Sequence, residues 1–256
     1  LKYLSVVQKI ALNYVQELIR NRFVLILVFV SFGILVISSF LGALSIGERL
    51  RMTVDFGILA IHISNLSLCI FLGSLAINSE IERKTCWLIL SGPVSRTQFY
   101  LGKFIGILTL STFMLLILFT LLSALVGFGP KIYNLFLIAV GIWIESTILI
   151  SIVMFFSQWM YSATSIFIGY SVFLIGNWMQ ELSFFGEKLR SEVYLLTAEV
   201  LNWMLPHFYR MNFRTVYFFE NGVSLSVISW SFFHLFGWVG LMMTMGILFF
   251  KRRDLV

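Results

Sequence analysis

One carboxylate stands apart from the rest: Glu145 is the single charge in the 49 positions between Lys131 and Glu181. At the centre of a bilayer a carboxylate costs about 2.5–3.5 kcal/mol on insertion scales, so it needs a protein partner, a water-filled cavity or a proton. That chemistry suits a translocation path or a coupling step, and a structural hydrogen bond to Ser or Asn accounts for it as well. His62 and His234 lie in two further apolar runs and are its candidate partners. Met204, His207 and Met211 fall at i, i+3 and i+7, a soft-metal spacing suited to copper. Pro206 breaks the helical register between them, and apolar packing of a helix end is the simpler account, so no metal site is assigned. Enzyme motifs are missing. Gly102-Lys103 is followed by Phe104 and lacks the earlier glycine of a phosphate loop, so ATP hydrolysis is not expected in this chain, and neither HExxH nor GxSxG occurs. Cys69 and Cys86 have no metal-ligand spacing.

The elements that must carry these residues are membrane helices. Of 256 residues, 59% are hydrophobic and 12% charged, with a mean hydropathy of +0.96. A soluble domain carries about 25% charge, and 18 basic plus 12 acidic residues are too few to coat one of this length. Disorder is excluded by 27 Phe, 7 Trp and 9 Tyr against 3 Pro. The net charge of +6 in such a chain reports orientation in the membrane before it suggests nucleic acid, and no nucleic-acid partner is expected. The first apolar run begins at Phe23 and is too long for a signal-peptide core, so a cleavable leader is not expected.

Charge-free gaps locate the spans, because a helix crossing about 30 Å of hydrocarbon needs about 20 apolar residues. Arg22 to Glu48 encloses 25 uncharged residues, Asp55 to Glu80 24, Lys103 to Lys131 27 and Glu220 to Lys251 30. The run from Lys131 to Glu181 holds two helices with a polar break at Ser157-Gln158. The fold class expected is an all-α membrane protein of six spans, near 23–46, 56–78, 104–128, 133–156, 162–180 and 223–250. With an even count both termini share one side. That side collects 11 basic residues against 7 on the other, which puts the termini in the cytoplasm.

Three stretches do not span. In residues 1–22, Leu4, Val7, Ala11, Tyr14 and Leu18 form one stripe, which predicts an amphipathic helix lying on the inner membrane face. Residues 79–103 face the cytoplasm between the second and third spans of the 23–180 block. Residues 181–222 form an external cap with a helix whose apolar stripe is Leu189, Val193, Leu196, Val200 and Trp203, closed by Pro206. Residues 223–256 are the sixth span and a basic tail. Gly102, Gly106, Gly237, Gly240 and Gly246 would admit close helix packing in a bundle or dimer seam.

The cytoplasmic stretch carries a resemblance. It runs Glu80-Ile81-Glu82-Arg83-Lys84-Thr85, then Leu88-Ile89-Leu90-Ser91-Gly92-Pro93-Val94-Ser95-Arg96, then Gln98-Phe99-Tyr100-Leu101-Gly102-Lys103. This resembles the corresponding stretch of ABC-2-type transporter permeases, most closely the branch associated with maturation of multi-copper enzymes such as nitrous-oxide reductase. Lys84 departs from the glycine common there. Ile10-Ala11-x-Asn13 with Gln16-Glu17-Leu18-x-Arg20, Leu205-Pro206 with Met211-Asn212-x-Arg214, and Phe249-Phe250-Lys251-Arg252-Arg253-Asp254 are similar to the same family.

The resemblance implies a non-catalytic permease subunit, present in two copies in a bacterial cytoplasmic (inner) membrane, with both termini inside. It implies a separate cytosolic ATPase dimer that supplies ATP and Mg, since this chain needs no cofactor, and it leaves room for an extracytoplasmic partner protein. Glu80, Glu82, Arg83, Thr85, Pro93, Ser95 and Arg96 are the implied ATPase-coupling residues. Pro206, Asn212 and Arg214 belong to the external cap, and Glu145, His62 and His234 to the translocation path. The rival reading is a stand-alone channel or intramembrane enzyme built on those last three.

Overall fold

The computed structural model describes residues 2–44, 49–82, 94–127, 132–189, 192–214 and 223–252, and among them every regular element is helical. In chain order these are α1 (Lys2–Ile19), α2 (Arg22–Leu44), α3 (Arg49–Glu82), α4 (Arg96–Val126), α5 (Ile132–Phe156), α6 (Ser162–Leu189), α7 (Glu192–Met204), a 3-10 turn (Phe208–Met211) and α8 (Leu225–Arg252). Five of them, α2, α3, α4, α5 and α8, are long and apolar enough to cross a membrane. The expected count of six differs at α6. Its 28 residues have the length, but Ser162, Thr164, Ser165, Ser171 and Asn177 dilute its apolar stretch, and Glu181, Glu187 and Lys188 follow within the same helix.

Helices run past the charges that bound the apolar gaps. α3 runs 34 residues, about 51 Å, through Arg49, Arg51 and Asp55 at one end and Glu80 and Glu82 at the other. A charge marks where lipid must stop, and the backbone hydrogen bonding continues past it. α4 likewise begins at Arg96, ahead of the expected position 104, because Ser95 and Gln98 form a capping box: the Gln98 amide donates to Ser95 Oγ and the Ser95 amide to Gln98 Oε1.

α3 and α5 form the centre of the bundle and are largely buried, whereas α2 and α8 turn Phe29, Phe40, Phe233 and Phe236 outward. α2 meets α3 through Ser31, Leu35, Ser38 and Gly42. The two serines donate to their own helix carbonyls, Leu27 and Leu35, and so need no partner across the seam.

Two of the non-spanning stretches have described contacts. Val7, Ala11, Tyr14 and Leu18 of α1 are buried, and their stripe packs on α4, while Leu4 is exposed. Gly102 and Gly106 make the approach possible: a Cβ at Gly102 would lie 2.6 Å from Ile10 Cγ2, and one at Gly106 2.9 Å from Tyr14 Cδ1 and 3.2 Å from the Ala11 carbonyl. The second stretch is the cap. The Asn177 amide donates to Glu145 at 2.9 Å, which puts the two residues at one level. From that level α5 runs back to Ile132 and α6 on to Leu189, roughly 20 Å in each case. Gly186 then meets Leu195, and Gly176 meets Phe208 and the Pro206 carbonyl. α7 therefore folds back along α6, and the described part of 181–222 lies beside the far halves of α5 and α6 without forming a layer beyond them. The expected stripe is divided: Leu189 ends α6, and Val193, Leu196, Val200 and Trp203 lie on α7 and face outward.

Candidate functional site

The polar centre of the bundle is built on α3 and α5. His62 and Asn65 sit one turn apart on α3, opposite Glu145 and Ser146 on α5. His62 Nε2 is 2.7 Å from Glu145 Oε2, and Asn65 Nδ2 donates to Ser146 Oγ at 2.8 Å. Both ionisable groups are buried, Glu145 at 2% exposure. Asn177 of α6 donates to the second Glu145 oxygen, and the edge of Phe173 closes over the His62 ring at 5.5 Å between centroids. Each supplies the other's hydrogen-bond partner, which is how two such groups persist in a low-dielectric core.

The return segment after α7 reaches the same centre. Gly141, one turn from Glu145, has no room for a side chain because its Cβ would meet the Met211 carbonyl and lie 3.0 Å from the Phe213 ring. Phe208, Met211 and Phe213 are buried there, and Arg214 follows, close enough to feel the charges of both Asp55 and Glu145. Its Nη2 is buried and makes no hydrogen bond among the described residues. Pro206 is buried against Gly176, and exposed Asn212 accepts from the Arg214 amide through its side-chain oxygen at 3.3 Å.

His234 does not join Glu145. Its Nε2 accepts from the His207 amide at 3.2 Å, and its ring stacks on Trp230 at 4.7 Å. Arg210 lies over the other side of this group, 4.9 Å from the Trp230 centroid, and donates through Nε to Tyr209 Oη. Burial, and then the Arg210 charge, hold His207 below the usual imidazole range, which keeps it neutral. The Met204, His207 and Met211 set is dispersed in character: Met204 is 67% exposed at the end of α7, and Met211, in the return segment, is 1% exposed against Gly141.

A second constellation occupies the opposite end of the bundle, around the expected coupling residues. Glu80, at the end of α3, is buried and accepts from Lys103 Nζ at 2.7 Å. Lys103 is itself buried, lies 3.6 Å from the Tyr14 ring centroid and 3.9 Å from Glu17 of α1. Burial, together with the two carboxylates, holds the Tyr14 phenol far above its ordinary range. Glu80 is thus a tie between α3, α4 and α1, where a docking surface was expected. Glu82 is exposed and accepts from Asn78 Nδ2, which also donates to Ser162 at the start of α6. Arg96 Nη1 donates to the carbonyls of Phe250 and Lys251, so a cation closes the last turn of α8. Exposed Ser95 caps α4, as above. Arg83, Thr85 and Pro93 lie outside the described residues.

Sequence reasoning missed Asn177, Lys103 and Tyr14 as site residues. Lys103 gave a signal: it was the one charge at the head of an apolar run preceded by a small-residue step, a position where a buried partner is needed. Asn177 gave none, because a lone amide in an apolar helix is common in membrane bundles.

Among curated proteins, no relative matches the chain. The family model for ABC-2 family transporter proteins matches residues 67–255. That range covers most of the chain, from the middle of α3 through the end of α8, and it takes in Glu145, Asn177, Glu80, Lys103 and Arg96. The chain belongs to the ABC-2 family of transporter proteins.

Proposed function

We propose that this permease works with a separate ATP-binding subunit, which docks on residues 83–93 and drives a rigid-body rearrangement of the helices. One observation carries the reading: the helix ends on both sides of that segment are fastened to the rest of the bundle. Glu80 and Lys103 join α3 to α4 and α1 at its start, and Arg96 joins α4 to the end of α8 after it. Force applied to residues 83–93 reaches four helices at once through these contacts. Arg83, Thr85 and Pro93 would make the contact, with Glu82 and Ser95 at its edge. ATP and Mg belong to the partner.

In this reading α6 is a sixth span, both termini are cytoplasmic, the membrane is a bacterial inner membrane, and two copies of the chain assemble with two ATP-binding subunits. The α6–α7 hairpin and the return segment then occupy the outer leaflet and its surface, where substrate or an extracytoplasmic partner is met. The resemblance to the metalloenzyme-maturation branch favours a copper or sulfur species, or mechanical work on an external protein, as the output. The stand-alone channel or enzyme needs Glu145, His62 and His234 together, and His234 is engaged elsewhere.

The test is co-expression with the candidate ABC-type ATP-binding subunits of the same genome. Wild type is expected to co-purify with it, and charge reversal at Glu82 and Arg83 to lose it while the permease remains folded. Absence of any ATP-binding partner, or binding indifferent to those reversals, refutes the coupling role.

A further inference from the structure

Where α1 turns into α2, a cavity of about 190 Å³ opens on the lipid side of the bundle. Its lining is apolar throughout, with Ile19 from the end of α1, Val24 and Val28 from α2, Leu68 from α3, and Phe113 and Ile117 from α4. The turn above it is rigid. Asn21 Oδ1 accepts from the Phe23 amide at 2.9 Å, the Asn21 amide donates to the Leu18 carbonyl at 3.0 Å, and the Phe23 ring lies against Phe71 at 4.5 Å.

Charge at this turn has one sign. Arg20 and Arg22 flank Asn21 and are both exposed. The first turn of α2 holds no acidic residue, so the positive end of its helix dipole points to the same place. The nearest carboxylate on α1, Glu17, approaches Lys103. An apolar slot beneath two arginines and a helix N-terminus matches one molecule a membrane supplies in quantity, a phospholipid with an anionic headgroup. Basic pockets between helices at the cytoplasmic surface select such lipids, each cation contributing about 1 kcal/mol near the surface.

We infer that the groove at the α1–α2 turn binds an anionic phospholipid, one acyl chain lying between α2 and α4 and the phosphate between Arg20 and Arg22. Leu110, Phe113 and Ile117 continue the α4 face of Gly102 and Gly106, so the lipid lies just past the end of α1 and extends the surface on which α1 is seated. It is a fixed component of the permease, not its cargo. The inference rests on the proposed cytoplasmic placement of the α1–α2 turn and survives if no ATP-binding subunit docks.

Native mass spectrometry of the full chain, titrated with equal amounts of phosphatidylglycerol and phosphatidylcholine of the same acyl composition, tests it. Wild type is expected to hold phosphatidylglycerol roughly tenfold more tightly. Arg20→Gln with Arg22→Gln, both at exposed positions, should erase that preference without loss of helicity by circular dichroism. Val28→Trp, which fills the slot, should lower retention of both lipids. Equal retention of the two lipids by wild type, a preference that persists in the double-glutamine variant, or retention unchanged by Val28→Trp would each overturn the assignment.

Discussion

His62 and Glu145 are each expensive in a bilayer core and tolerable as a pair, which makes their coupling measurable. Replacing His62 with Leu leaves the carboxylate with Asn177 and the distant charge of Arg214, and breaking a buried pair from one side costs about 3 kcal/mol. Replacing both by Leu removes the uncompensated charge along with the contact. The double variant is therefore expected to be more stable than Glu145-bearing His62→Leu, by at least 1 kcal/mol, when unfolding is followed in detergent micelles. A double variant that loses the sum of the two single effects would mean the side chains act independently. The sequence made this pair half-legible. Glu145 stood out because nothing else charged lay near it, and His62 was one of only three histidines. Nothing in the spacing told His62 from His234, since both lie in apolar helices; the difference is made by Trp230 and the His207 amide, which hold His234 elsewhere.

At the scale of elements, small residues separate into those that seat a helix and those that do not. Gly102 and Gly106 lie under α1, and a branched side chain at either would meet Ile10, Tyr14 or the Ala11 carbonyl. Gly237 and Gly240 on α8 have nothing within 4 Å of an added Cβ, although they read identically as packing residues in the sequence. Gly106→Val is expected to lift α1 off the bundle, seen as faster proteolysis of residues 2–19 and a loss of about 2 kcal/mol in micelles, whereas Gly240→Ala in the same assay changes neither. Equal sensitivity at the two sites would contradict the packing of α1. The helices themselves were well marked by apolar length, whereas the amphipathic stripes were legible only in part: Leu4 falls outside the buried stripe of α1, and Leu189 belongs to α6 and not to α7. What each stripe faces was not encoded locally. A period of 3.6 states that one face is apolar and is silent on whether protein or lipid covers it, so α1 turned inward onto two glycines and α7 turned its stripe outward. The boundary errors at α3 and α4 have a related cause, because gaps between charges measure the hydrocarbon layer and helices extend past it.

For the molecule as a whole, α3 is the part that joins the two constellations. It carries Glu80 at one end and His62 18 residues away, about 27 Å along one uninterrupted helix, with Asp55 two turns further on. A helix buried on most of its sides moves as a rod, so a displacement imposed at Glu80 arrives at the level of Glu145 with little loss. The buried Glu80–Lys103 contact is then the element through which the ATP-binding partner would act on Arg214 and the return segment. Lys103→Met keeps the length of the side chain and removes its charge, leaving Glu80 without its 2.7 Å partner. A cysteine pair at Asp55 and Arg214 reports the far end. In the assembled transporter of the proposed function, cross-linking of that pair is expected to change by at least severalfold when ATP is trapped, because the helices that carry the two residues rearrange. With Lys103→Met, the ATP-binding subunit should still bind, since residues 83–93 are untouched, but the cross-link should no longer respond to nucleotide. A response that persists in Lys103→Met would place transmission outside α3. Loss of partner binding in the same variant would instead make Lys103 part of the docking surface, against its 4% exposure.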